Sequence, residues 1–187
     1  MEEMPVVVRE IVMVAPTDTT MVPMRVSKAV ALGGGDDLSG RAQRARFFMV
    51  LDELDGDRHL VIGVGDAEAF ALDSSLQGLR WGRPMTYEFT AALMRSLGGR
   101  VREVRLDRVV DGAYAATVEV DGPQGAVLVD ARCSDALNLA VLTQAPVLAA
   151  PQVLADCLGR QDGGSAEAAL LRRAVAAGPM MIGRADQ

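Results

Sequence analysis

Three short turn signals, each set between β-branched or alternating runs, constrain this chain more than any other feature. Asp55-Gly56-Asp57 separates Phe47–Leu51 from His59–Val64, and Asp111-Gly112 separates Arg100–Leu106 from Tyr114–Val120. Asp121-Gly122-Pro123 then leads into Ala126–Ala131. Asp-Gly pairs readily adopt the positive φ of tight hairpins, so each signal predicts an antiparallel strand pair. Further strands are expected over residues 6–14, between Pro5 and Pro16, and over Met21–Val30.

Helix signals lie between the hairpins. Asp66 is expected to cap a first helix that stops at Gly78, and Thr86 a second whose Phe89, Leu93 and Leu97 recur along one face. Ser134 or Asp135 caps a third, closed by Ala145-Pro146, and Pro151–Leu158 forms a short helix before Gly159. After a linker at Gln161–Gly164, Ser165–Ala177 forms a final amphipathic helix. Its Leu170, Leu171, Ala174 and Val175 stripe must bury on its own core or on a second chain. Hairpins interspersed with helices predict an α+β fold: a mixed, largely antiparallel twisted sheet flanked by three to four helices. The expected division is a domain over residues 1–158, then a linker and helix over 159–187.

Half of the 187 residues are hydrophobic, which excludes a wholly disordered chain. No apolar run is long enough for a bilayer, and Met1-Glu2-Glu3-Met4-Pro5 lacks the basic and apolar regions of a secretory signal. A cytoplasmic, non-membrane protein is expected, with Cys133 and Cys157 as free thiols whose spacing fits no zinc site. With 25 acidic against 19 basic residues, the net charge of -6 repels phosphate. Nucleic-acid binding therefore needs a local patch or a metal.

Several catalytic patterns are absent or weak. The glycine-rich stretch over residues 32–40 runs into Arg41, Arg44 and Arg46 without a Gly-Lys-Ser/Thr, so it reads as a surface loop rather than a phosphate cradle. Gly63-Val64-Gly65 lacks the third glycine of a dinucleotide loop. His59, the sole histidine, sits at the mouth of a hairpin and reads as a cross-strand surface residue, which weakens Ser-His-Asp and Cys-His arrangements alike.

The densest polar block is Asp130-Ala131-Arg132-Cys133-Ser134-Asp135, where a strand turns into a helix. A helix N-terminus exposes N–H groups that can hold an anion, Arg132 offers a fork for phosphate or carboxylate, and the aspartates suit a hard cation. The structural alternative is that Ser134 caps the helix, Asp135 complements its dipole, and Arg132 pairs with Glu68 or Asp130.

Here the chain resembles the bifunctional nuclease family, small bacterial and plant domains with combined DNase and RNase activity. The match runs through Val61-Ile62-Gly63-Val64-Gly65-Asp66-Ala67-Glu68-Ala69, Arg83-Pro84-Met85-Thr86-Tyr87-Glu88-Phe89, Leu97-Gly98-Gly99-Arg100-Val101 and Tyr114-Ala115-Ala116. It continues through Asp130–Ala140 and Ala145-Pro146-Val147 to Val153-Leu154, covering roughly residues 6–158 in order. Cys133 stands where the family has proline, Asn138 where it has alanine, and Tyr87-Glu88 where it has His-Asp.

The resemblance implies a metal-assisted phosphodiesterase acting on DNA and RNA. Arg132, Ser134, Asp135 and Glu68 are its expected catalytic residues, and Arg83, Tyr87, Glu88 and Asn138 its substrate-binding ones. Asp130 and Asp135 would hold Mg²⁺ or Mn²⁺; no organic cofactor is implied. Two alternatives stand beside it: a non-nucleolytic ligand-binding or regulatory module on the same fold, and an enzyme remodelled for a small anionic or carbonyl-bearing substrate. A homodimer is expected from the apolar final helix and open strand edges.

Overall fold

The computed structural model describes residues 21–33, 35–36 and 42–180. The strand expected over residues 6–14, Arg41 and most of the glycine-rich stretch lie outside the described residues. The element order is β1 (Val22–Leu32), β2 (Gly35–Asp36), β3 (Ala42–Gln43), β4 (Arg46–Glu53), β5 (His59–Val64), α1 (Asp66–Leu76), α2 (Thr86–Ser96), β6 (Arg100–Val110), β7 (Ala113–Gly122), β8 (Gly125–Arg132), α3 (Cys133–Thr143), β9 (Val147–Ala149), α4 (Pro151–Asp162) and α5 (Ala166–Ala176). Seven strands form one sheet in the order β5-β4-β1-β9-β6-β7-β8, and β2 pairs with β3 alone. All neighbours in the large sheet are antiparallel except β6 and β9. This is the expected α+β architecture, carried by five helices among the described residues.

All three hairpins form at the turn signals, the third with its turn at Pro123-Gln124, so that Asp121 and Gly122 remain in β7. At the β6–β7 turn, Asp111 (φ 50) and Gly112 (φ 77) supply the two positive φ values of a type I′ connection. His59 stands opposite Asp52 across the β4–β5 pair, with Nδ1 and Oδ1 2.9 Å apart, the cross-strand role expected of it. The three-residue β9 carries no turn or alternation signal of its own. Yet it joins the β1 and β6 halves of the sheet, antiparallel to the first and parallel to the second.

Alternation along β4 sends Met49 and Leu51 to one face and Phe48 and Val50 to the other. The first face meets α1, α3 and α4 in the larger core, through Leu72, Leu137 and Leu154 among others. The second meets α5 through Leu171 and Ala174. The stripe of α5 is thus buried on its own sheet. Lys28, the only lysine, donates from Nζ to the carbonyls of Val175 (2.6 Å) and Ala177 (2.5 Å), tying the end of α5 to β1.

Helix α4 packs against both β5 and β6, strands well separated in the sheet order, so the sheet curls around it. Its Gln161 amide donates to the His59 carbonyl (3.2 Å), and the Val61 N–H donates to Cys157 Sγ (3.4 Å). These contacts cover the free edge of β5, as edge strands require. They also extend α4 through Gly159 to Asp162, past the helix end expected at Leu158 and past the expected domain boundary.

The N-caps differ from expectation by one to three residues. Gly65, Met85 and Arg132 cap α1, α2 and α3, in place of Asp66, Thr86 and Ser134 or Asp135. Strand β8 runs into α3 without a linker, so Cys133 is already helical. The stripe of α2 also differs: Phe89, Leu93 and Leu97 are 60%, 48% and 69% exposed, and the buried contact is Ala91. No described helix is long and apolar enough to cross a membrane.

Candidate functional site

Two helix N-termini meet where β5 enters α1 and β8 enters α3. Glu68 is the third residue of α1, and Asp135 the third of α3. Both acids lie where a helix dipole favours negative charge, and Arg132 joins them. Its guanidinium grips Asp135 in a fork, Nε to Oδ2 at 2.7 Å and Nη2 to Oδ1 at 2.9 Å, while Nη2 also reaches Glu68 Oε1 at 3.0 Å. Tyr87 adds a fourth member, its hydroxyl donating to Asp135 Oδ1 at 2.6 Å.

Burial pulls the Asp135 carboxyl upward, but the hydrogen bonds from Arg132 and Tyr87 outweigh it and hold the group below its usual range. Burial, then the bond to Asp135, pushes the Tyr87 phenol well above its ordinary value, so Tyr87 stays a neutral donor. Burial alone pushes the Cys133 thiol up to about 12, which makes it an inert packing residue rather than a nucleophile.

Below the cluster, Asn138 is 0% exposed. Its Nδ2 bridges the two helices, donating to the carbonyls of Glu68 (3.2 Å) and Ser134 (2.9 Å), while Oδ1 is buried without a hydrogen-bond partner. At Gly65 the φ of -73° suits any residue, so only the Glu68 side chain stands in the way of a larger one. An added Cβ would lie 2.3 Å from Glu68 Oε2.

Arg132, Ser134 and Glu68 line a cleft of about 780 Å³ between the α1/α3 ends and the α4–α5 wall. Arg46, Tyr114, Arg160 and Glu167 line it too. Arg160 holds Glu167 across the α4–α5 junction, and its guanidinium lies 5.9 Å from the Tyr114 ring centre. Of these four, only Arg46 stands out in the sequence, as part of an arginine run. Tyr114 lies in a stretch that carries the family resemblance but has no expected site role, and Arg160 and Glu167 come from distant stretches without a local motif.

Of the other expected residues, Tyr87 reaches the cluster only through its hydroxyl, and Glu88, Arg83 and Asp130 lie away from it. Tyr87 and Glu88 border a separate crevice of about 10 Å³, room for no more than a water. Glu88 accepts a hydrogen bond from the Met85 N–H (2.9 Å), a helix-capping role. Arg83 is exposed in the loop before α2. Asp130 pairs with Thr117 in the β7–β8 register, on the face turned away from the larger core.

The divalent cation implied by the resemblance needs several free oxygen donors gathered at one point. Among the described residues no three His, Cys, Asp or Glu side chains form such a group. The two carboxylates that do meet, Glu68 and Asp135, are both hydrogen-bonded to the Arg132 guanidinium, which already supplies positive charge there. This donor set does not fit a resident Mg²⁺ or Mn²⁺.

Fold and site together define an α+β domain whose paired helix N-termini present an arginine-bridged carboxylate cluster to a cleft. The chain belongs to the bifunctional nuclease domain family, whose pattern it matches over residues 49–160. It is 33% identical over 108 residues to uncharacterized proteins from two strains of Mycobacterium tuberculosis, an alignment covering 58% of this chain and 64% of each relative.

Proposed function

We propose that this domain is a phosphodiester hydrolase acting on nucleic acid in the cleft between α3 and the α4–α5 wall. The observation that carries the reading is Arg132, forked onto Asp135 and facing a cleft that Arg46 and Arg160 also line. Asp135 and Tyr87 fix the plane of the guanidinium. Its Nη2 then offers a donor to a phosphate oxygen, beside the Ser134 hydroxyl and the unpaired N–H groups of the first turn of α3. The phosphate oxygen displaces Glu68 from Nη2 while the fork on Asp135 stays in place, and the freed carboxylate takes a proton from the attacking water and later loses it to solvent. Water adds to phosphorus, the bond to the leaving nucleoside oxygen breaks, and that oxygen takes up a proton from solvent. No step uses a metal.

The test is hydrolysis of labelled single- and double-stranded DNA and RNA, with EDTA and with Mg²⁺ or Mn²⁺. Cleavage that persists in EDTA and falls by about 10²-fold or more in Arg132→Ala and Glu68→Gln is expected. Intact substrates under every condition would refute the reading. A non-nucleolytic binding module on the same fold is the second reading. Its support is the charge of the cleft lining, where Asp66, Glu68 and Glu167 match Arg46, Arg132 and Arg160.

A further inference from the structure

The cleft has two arginine poles set in different elements. One is Arg132 at the start of α3; the other is Arg160 on α4, across from Glu167 on α5. Its volume of about 780 Å³ is that of a small-ligand site rather than of an extended groove. Its walls between the poles include the apolar side chains of Phe47, Val64 and Leu170. A nucleic-acid polymer is usually held by a track of uncompensated cations. Here three carboxylates offset three arginines in the lining. Outside it, Arg100, Arg102 and Arg105 on β6 are bound to Asp121, Glu119 and Glu103.

A balanced lining suits a ligand with a single anionic centre and several hydroxyl or amino donors. A bare polyanion would meet as many repulsions as attractions, whereas a nucleoside presents donors to the carboxylates and an apolar face to the walls. We infer that the cleft is a one-phosphodiester site, taking a dinucleoside monophosphate or one such step of a single strand, and not duplex. This rests on the phosphodiester reading above and names its substrate class. Glu167 competes with the ligand's acceptor oxygens for Arg160, so the pair acts as a latch that the ligand must open.

The experiment is calorimetric binding, in EDTA, of a dinucleoside monophosphate, a single strand of about ten nucleotides and a duplex of equal length. The dinucleotide and the single strand bind within about threefold of each other per site, and the single strand shows a log K against log salt slope near about -0.7. Arg160→Gln weakens both by about tenfold, and Glu167→Gln tightens them severalfold by freeing Arg160. Circular dichroism confirms that both variants are folded.

A salt slope of about -2 or steeper, duplex bound as tightly as single strand, or Glu167→Gln without effect in a folded protein each overturns the inference. Hydrolysis separates the two claims. A dinucleotide that binds uncut leaves the site intact and removes the hydrolase. Long substrates cut without any dinucleotide binding do the reverse.

Discussion

Replacing Asn138 by aspartate changes almost no volume and so isolates the electrostatics of the α1–α3 contact. The native amide is completely buried and spends Nδ2 on two carbonyls, those of Glu68 and Ser134. An aspartate there has no donor when ionised and aims an oxygen at both carbonyls. Arg132, the nearby cation, is already engaged by Glu68 and Asp135. The folded variant therefore holds the introduced carboxyl protonated, with its O–H donating to one carbonyl. At pH 7 that means raising a group of ordinary pKa about 3.9 by at least about 3 units, a cost of about 4 kcal/mol. At pH 5 the cost falls to about 1.5 kcal/mol. Because the folded pKa is raised above the unfolded one, the penalty grows with pH above about 4 and vanishes below it. The melting temperature should drop by about 8–16 °C at pH 7 but only about 3–6 °C at pH 5. Asn138→Ala is the control: both carbonyls lie within helices and keep their i+4 partners, so it should cost about 1 kcal/mol at any pH. Differential scanning calorimetry of the three proteins across pH 5–8 reads the difference. A pH-independent loss in Asn138→Asp would mean that the contact is hydrated rather than dry, and would refute the reasoning.

Asp135 has the opposite sign, since its folded pKa lies below the ordinary value. The stability gap between wild type and Asp135→Asn should be constant above about pH 5 and close as pH falls below about 4; a gap that widens in acid contradicts the network. Gly65→Ala introduces no backbone strain but displaces the Glu68 carboxylate, so melting should shift by no more than a few degrees while cleavage falls as in Glu68→Gln. Full cleavage by Gly65→Ala would show that Glu68 is dispensable. The homodimer expectation now falls on the exposed stripe of α2 and the open edge of β8. Sedimentation should give a dimer for wild type and a monomer for Leu93→Asp, and a monomeric wild type ends that proposal.

The fold was legible where local chemistry decides it. Asp111-Gly112 specifies its hairpin through backbone φ, whereas Gly56 and Gly122 stay at negative φ and mark the other two turns only by composition; Gly78 and Gly98 stop α1 and α2 at positive φ as their positions suggest. Legibility failed where pairing is non-local. Val147–Ala149 is a strand only because β1 and β6 lie on either side of it. Gly159 stays helical because Cys157 and Gln161 reach back to β5. In α2, a period of four shows that an apolar stripe exists but not what covers it. The small Ala91, flanked by Tyr87 and Met94, is what contacts the body of the domain, and the large side chains are left outside.

The candidate site divides along the same line. Arg132, Ser134, Asp135 and Glu68 announce themselves because helix N-termini select acids and hydroxyls within a few residues, a short-range rule. That rule is also ambiguous, since the same residues are expected whether the end of a helix is catalytic or merely stable. The contacts show both at once: Asp135 complements the dipole of α3 and orients Arg132, and Glu68 does the same on α1 while facing the cleft. What separates the two readings is the opposite wall. Arg160, Glu167 and Tyr114 come from three elements that sequence never brings together, and they turn a stable helix junction into one side of a half-open cleft. The net charge of -6 bears on that space as well. Spread over the whole chain it opposes nucleic acid, but inside the cleft acids and arginines cancel. On the one-phosphodiester proposal, phosphates beyond the seated step make no contact there, so a dinucleotide and a longer single strand bind alike and duplex does not enter.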